Sequence, residues 1–80
     1  MQASDIAQLI GDAMQGADVK VNGDDGVHFD AIVVSEEFAG LSPVKRQQKI
    51  YATLGDRIQT GEIHALALKT YTPDEWAAKQ

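Results

Sequence analysis

Two histidines, His28 and His64, are the side chains of this 80-residue chain best suited to chemistry. Imidazole titrates near neutral pH and is the commonest metal-binding side chain. Each histidine is the second residue of an apolar run that reads as a strand, Val27 to Ser35 for the first and Ile63 to Thr70 for the second. If those strands are adjacent and parallel, both imidazoles emerge at the same end of the sheet. Matched register would then put their backbones about 5 Å apart, and equal parity would point both to one face. The chain has no cysteine, so two imidazoles cannot complete a four-ligand metal site. Any metal held here is shared with another molecule. The plainer alternative is that both are surface or half-buried residues at strand mouths, with no ligand role.

A second constellation is basic. Lys45 and Lys49 are four residues apart on an expected helix and share a face, with Arg46 beside them. They suit phosphate contact by an exposed helix, or simply form a solvated face opposite an apolar stripe. Gly23-Asp24-Asp25-Gly26 matches the GxxG loop of nucleic-acid modules in letters only. It joins two strands and carries two carboxylates that would repel phosphate, so it reads as a hairpin turn. Ser35, Ser42 and the threonines read as caps. The acidic pairs Asp24-Asp25, Glu36-Glu37 and Asp74-Glu75 fall at turns or helix starts, and neither common phosphate-binding glycine motif is present. Nothing in the chain reads as an enzyme.

The formal charge is −5, unevenly spread: residues 1–40 hold Lys20 against eight acids, whereas residues 41–80 hold six bases against four acids. An acidic chain disfavours indiscriminate nucleic-acid binding, although a basic patch still acts within the ~8–10 Å over which salt screens charge. No apolar run approaches the roughly 18 residues that a membrane span needs. The N-terminus lacks the basic region of a secretory or organellar signal. These features predict a soluble cytoplasmic protein, without membrane contact, of one domain over residues 1–80.

The elements that must position these residues follow from pattern. Ile6, Leu9, Ile10, Ala13 and Met14 predict an amphipathic helix over 4–15, with Ser4 as cap and Gly16 as stop. Val19 to Asn22 and Val27 to Ser35 form a hairpin. Phe29, Ala31 and Val33 share one face; His28, Asp30, Ile32 and Val34 share the other. Ser35 to Gly40 reads as a single turn. Ser42-Pro43 opens a main helix running to Gly61, with an inward stripe of Val44, Gln47, Tyr51, Leu54 and Ile58 supported by Ile50. Gly55 weakens or bends it. Strand 63–70 follows, and Thr72-Pro73-Asp74-Glu75 starts a last helix through a capping box, with Trp76 as its apolar anchor. The order α-β-β-α-β-α predicts an α+β fold. A helical crossover makes the third strand parallel to the second, in a three-stranded mixed sheet covered by helices on one face.

Val33 to Gly40, the helix KRQQKIY ending at Tyr51, and the ending IHALALKTYTPDEW resemble the BolA family over nearly the whole chain. The short hairpin loop and the KRQQKIY form resemble its IbaG-like branch. That resemblance implies a class II KH-like fold and partnership with a monothiol glutaredoxin, in a complex sharing a [2Fe–2S] cluster. The family's cluster histidine falls on His64. Its second ligand, a His or Cys from the loop between the first two strands, leaves His28 as the candidate here. Imidazole in place of thiolate would raise the cluster's potential, so the implied role is an adaptor, a monomer or weak homodimer when alone. Members are also described as transcriptional regulators, for which DNA contact would fall to Lys45, Arg46 and Lys49.

Overall fold

A computed structural model describes residues 1–23, 25–26, 28–63 and 65–79. His64 therefore lies outside the described residues. Helix α1 (Ala3–Ala13) buries Ile6 and Ile10, and Met14 at its end completes the stripe; Ala13 faces out. The cap differs from expectation, because Ser4 sits inside the first turn. Instead Asp5 Oδ2 accepts the Gln2 backbone N–H at 2.9 Å, which also places a carboxylate at the positive end of the helix.

Strand β1 (Asp18–Asn22) pairs antiparallel with β2 (His28–Val34), from Asp18 opposite Val34 to Asn22 opposite Asp30. Phe29, Ala31 and Val33 are buried beneath the helices, as the alternation predicts. Gly23 lets the turn close: a Cβ there would lie 2.5 Å from the Phe29 ring and 2.7 Å from the His28 carbonyl oxygen. After β2, Ser35 Oγ accepts the Glu37 N–H at 3.1 Å and caps a single 3-10 turn (Glu36–Phe38) that buries Phe38.

Helix α2 (Pro43–Thr53) is capped by Ser42, whose Oγ accepts the Lys45 N–H at 3.3 Å. It ends far short of Gly61. Leu54 is the last capping residue, and Gly55 follows with φ +62°, a left-handed conformation that stops the helix. Irregular turns then run to Ile63. The inward stripe also differs from expectation. Arg46, Ile50 and Leu54 face the core, whereas Val44 is 62% exposed, Ile58 38% and Tyr51 37%. Tyr51 lies about 100° around the helix from Ile50, so the helix carries a second, outward apolar flank. Hydropathy alone favours that flank because it counts Arg46 as a surface residue.

Strand β3 (Ala65–Tyr71) lies parallel to β2, in the order β1-β2-β3. The crossover through α2 thus has the predicted polarity. Helices α1 and α2 cover one face, over a core of Ile6, Ile10, Met14, Phe29, Val33, Phe38, Ile50, Leu54 and Ile63. Helix α3 (Pro73–Lys79) starts with the predicted reciprocal cap: Glu75 Oε1 accepts the Thr72 N–H at 2.8 Å, and Thr72 Oγ1 accepts the Glu75 N–H at 3.1 Å. Its Trp76 meets Tyr71 at 5.1 Å between ring centroids and borders a hollow with Lys20, Ile32 and Val34. Among the described residues no helix is long and apolar enough to cross a membrane.

The two flanks of α2 separate by stability. Ile50→Ala should lower unfolding free energy by about 2–5 kcal/mol through a core cavity, and Val44→Ser should stay within about 0.5 kcal/mol of the parent, both read by urea denaturation.

Candidate functional site

The hairpin turn brings Asp25 onto His28, three residues on. Asp25 Oδ1 accepts the His28 backbone N–H at 2.8 Å, and its Oδ2 lies 2.8 Å from His28 Nδ1. An ionised carboxylate only accepts, so Nδ1 carries the proton and, in the neutral ring, Nε2 carries the lone pair. The ring stays exposed to solvent. A carboxylate bound to one nitrogen of a histidine is a common way to orient the other toward a metal. By sequence the turn reads as a connection only, yet the Asp-Gly-Val-His spacing carries a signal, because a turn of that length returns the carboxylate to the strand's first residue.

The register places Ala65 opposite His28. The positions sharing the face of His28 are therefore Ala65, Ala67, Lys69 and Tyr71. The expected pairing of the two histidines in matched register is corrected by one residue. Ile63, two positions before Ala65, is fully buried in the core, with its N–H donated to the Arg57 carbonyl at 3.1 Å. No cluster of three His, Cys, Asp or Glu able to hold a metal occurs among the described residues. Next to Ala65, a hollow of about 350 Å³ is lined by Tyr51, Gly55, Ile58, Gln59 and Leu66.

The basic cluster is split by the fold. Lys45 is exposed, and Lys49 Nζ pairs with Glu37 Oε1 at 3.2 Å. Arg46 is not part of an exposed basic face. It is only 9% exposed, and its Nη1 and Nη2 reach Glu75 Oε1 and Oε2 at 2.7 and 3.2 Å. Its Nε donates to the Leu41 carbonyl at 3.0 Å, its Nη1 also to the Thr70 carbonyl at 3.4 Å, and its guanidinium carbon stands 5.7 Å from the Phe38 ring centre. Withdrawn from solvent and satisfied within the fold, it offers no phosphate contact. The hydrogen bonds from Arg46, with those from Thr72, pull the Glu75 carboxyl down to about 2.

The BolA-like protein family model matches residues 7–75. The chain belongs to the BolA family. A similar BolA relative, the acid stress protein IbaG of Escherichia coli, is 43% identical over 77 residues, covering 96% of this chain and 90% of the relative. A solved BolA homologue from Coxiella burnetii superposes with a TM-score of 0.84 at 40% identity, covering 96% of this chain and 97% of that one. A Vibrio cholerae protein named DNA-binding transcriptional regulator BolA is 53% identical over 49 residues, which cover 61% of this chain and 45% of that protein. These likenesses agree with the IbaG-like branch of the family and with an α+β fold carrying a mixed sheet.

The Glu75 shift predicts a pH dependence. A carboxyl whose pKa is lower in the folded state contributes stability that is complete above its unfolded value of about 4.5 and lost as pH falls toward about 2. The stability gap between the parent and Glu75→Gln should therefore be widest above pH 5 and shrink through that window, as read by urea midpoints across pH.

Proposed function

We propose that this BolA-family chain is a cytoplasmic adaptor that joins a monothiol glutaredoxin and shares a [2Fe–2S] cluster with it through His64, in iron–sulfur trafficking or in iron and stress regulation. One observation carries the reading. His28, its ring held by Asp25, stands in register with Ala65 at the mouth of two parallel strands. In the sequence, His64 immediately precedes Ala65. The donor chemistry fits the group, because iron–sulfur clusters accept imidazole in place of thiolate. With no cysteine in the chain, the thiolates come from glutaredoxin and its glutathione. When bound, the cluster supplies one-electron chemistry at a potential raised by the imidazole. The chain's own part is to present nitrogen donors and leave the remaining positions to the partner. No residue is assigned a catalytic role. The stress-related name of the E. coli relative agrees with a regulatory setting.

Co-expression with a monothiol glutaredoxin should yield a coloured heterocomplex whose visible spectrum differs from that of the glutaredoxin homodimer. His64→Ala should abolish the difference; an unchanged spectrum would remove His64 as a ligand.

The name of the V. cholerae relative supports a second reading, DNA binding. On this surface it rests on Lys45 and Lys49, since Arg46 is committed to Glu75. Double-stranded DNA binding should then weaken steeply with salt and lose about one unit of salt slope per lysine replaced by Ala. Absence of binding at low salt would end this reading.

A further inference from the structure

We propose that the outer edge of β3 is a self-pairing surface, through which two copies of this chain join their sheets into one. In the order β1-β2-β3, the third strand has a strand neighbour on one side only among the described residues. Two contacts fix which of its backbone groups point outward. The Tyr71 carbonyl accepts the Ser35 N–H at 2.9 Å, on the β2 side. By the alternation of a strand, the Thr70 carbonyl points the other way, where it meets Arg46 Nη1 at 3.4 Å. The N–H and C=O groups of Leu66 and Leu68 share that outward direction. Arg46 occupies the Thr70 position, so Leu66 and Leu68 are the rungs left for a further strand.

Edge strands are usually blunted by charge, proline, bulges or short length. The other edge, β1, has five residues and carries Asp18 and Lys20, whereas the seven of β3 include one charge, Lys69, and no proline. The core is also less sealed here. Leu66 and Leu68 stand opposite Phe29 and Ala31 on the covered face, yet they are half-buried where Phe29 and Ala31 are buried. Beside them, the exposed Tyr51 and Ile58 line a hollow with Leu66. The occupant that fits is the same segment, because its rungs are self-complementary. With the strands antiparallel about a two-fold axis at Ala67, Leu66 of each copy faces Leu68 of the other, and each pair exchanges both N–H···O bonds. Ala67 meets its own copy across the axis in a non-hydrogen-bonded pair, where a methyl group leaves room for close approach. Ala65 faces Lys69, so no like charges meet. On the covered face, the leucines of both copies form one apolar cluster beside Tyr51 and Ile58. Pairing of this length buries less than a standard interface, so the dimer is weak. It goes beyond the reading above and needs neither cluster nor glutaredoxin.

Sedimentation of the full chain should show a monomer–dimer equilibrium that shifts toward dimer as protein concentration rises into the millimolar range. Ala67 is exposed, so its substitution leaves the core of the monomer intact. Ala67→Glu sets like charges directly opposite and should weaken association about 5-fold or more. Ala67→Lys should do the same, and mixing the two variants should restore it. The chain has no cysteine, so a single introduced thiol reports the register. Under oxidant A67C should form a disulfide-linked dimer, since Cα atoms about 4.5 Å apart lie within the span of the bond. A65C should not, because that register separates the two copies of residue 65 by about 14 Å along the strands. The proposal is overturned if the parent stays monomeric throughout that concentration range, if Ala67→Glu associates as tightly as the parent, or if A65C cross-links as readily as A67C.

Discussion

The guanidinium of Arg46 is the contact on which the arrangement of this fold most depends. A charge this far out of water is costly unless it is paired and its donors are satisfied. Here Glu75 answers it through both carboxylate oxygens, and the Leu41 and Thr70 carbonyls take further donors. One side chain therefore joins α2 to the loop after the 3-10 turn, to the end of β3 and to the first turn of α3. Glu75 is at the same time the reciprocal partner of Thr72, so the helix start and the ion pair stabilise one another. The rotation of α2 follows. With Arg46 inward, Ile50 and Leu54 enter the core on the same line, and Val44 and Tyr51 are turned outward.

That closure lies at one end of the β2–β3 pair, and the candidate site lies at the other. The parallel register runs from His28 opposite Ala65 to Val34 opposite Tyr71. At the Tyr71 end, Trp76 packs on Tyr71 and the Arg46–Glu75 pair ties α2 to α3. At the Ala65 end the chain instead presents a histidine held by its own turn, and Ala65 itself borders a hollow with Tyr51 and Ile58.

The chemistry proposed for that end depends on what the chain does not supply. Imidazoles without thiolates leave a cluster incomplete, which makes complex formation and cluster binding the same event. The basic helix fits this division of roles poorly as a DNA reader, since one of its three cations is structural and another is paired with Glu37.

The chain's own letters determined whatever is decided within a few residues. The reciprocal cap of Thr72 and Glu75, the Ser35 and Ser42 caps, the alternating face of Phe29, Ala31 and Val33, and the order of elements were all legible, because each depends on spacings of two to four residues or on the length of a crossover. The family was legible too, through the Val33–Gly40 run and the IHALALKTYTPDEW ending. Tertiary structure alone decided which side of α2 faces inward, because Arg46 is buried by a carboxylate 29 residues away that no local pattern links to it. It also decided the strand register, which sets Ala65 opposite His28, and it turned Asp25 from a turn residue into a partner of His28. Local rules see hydrogen bonds that close within a turn. The desolvation of a charge and the filling of a core are properties of the assembled chain.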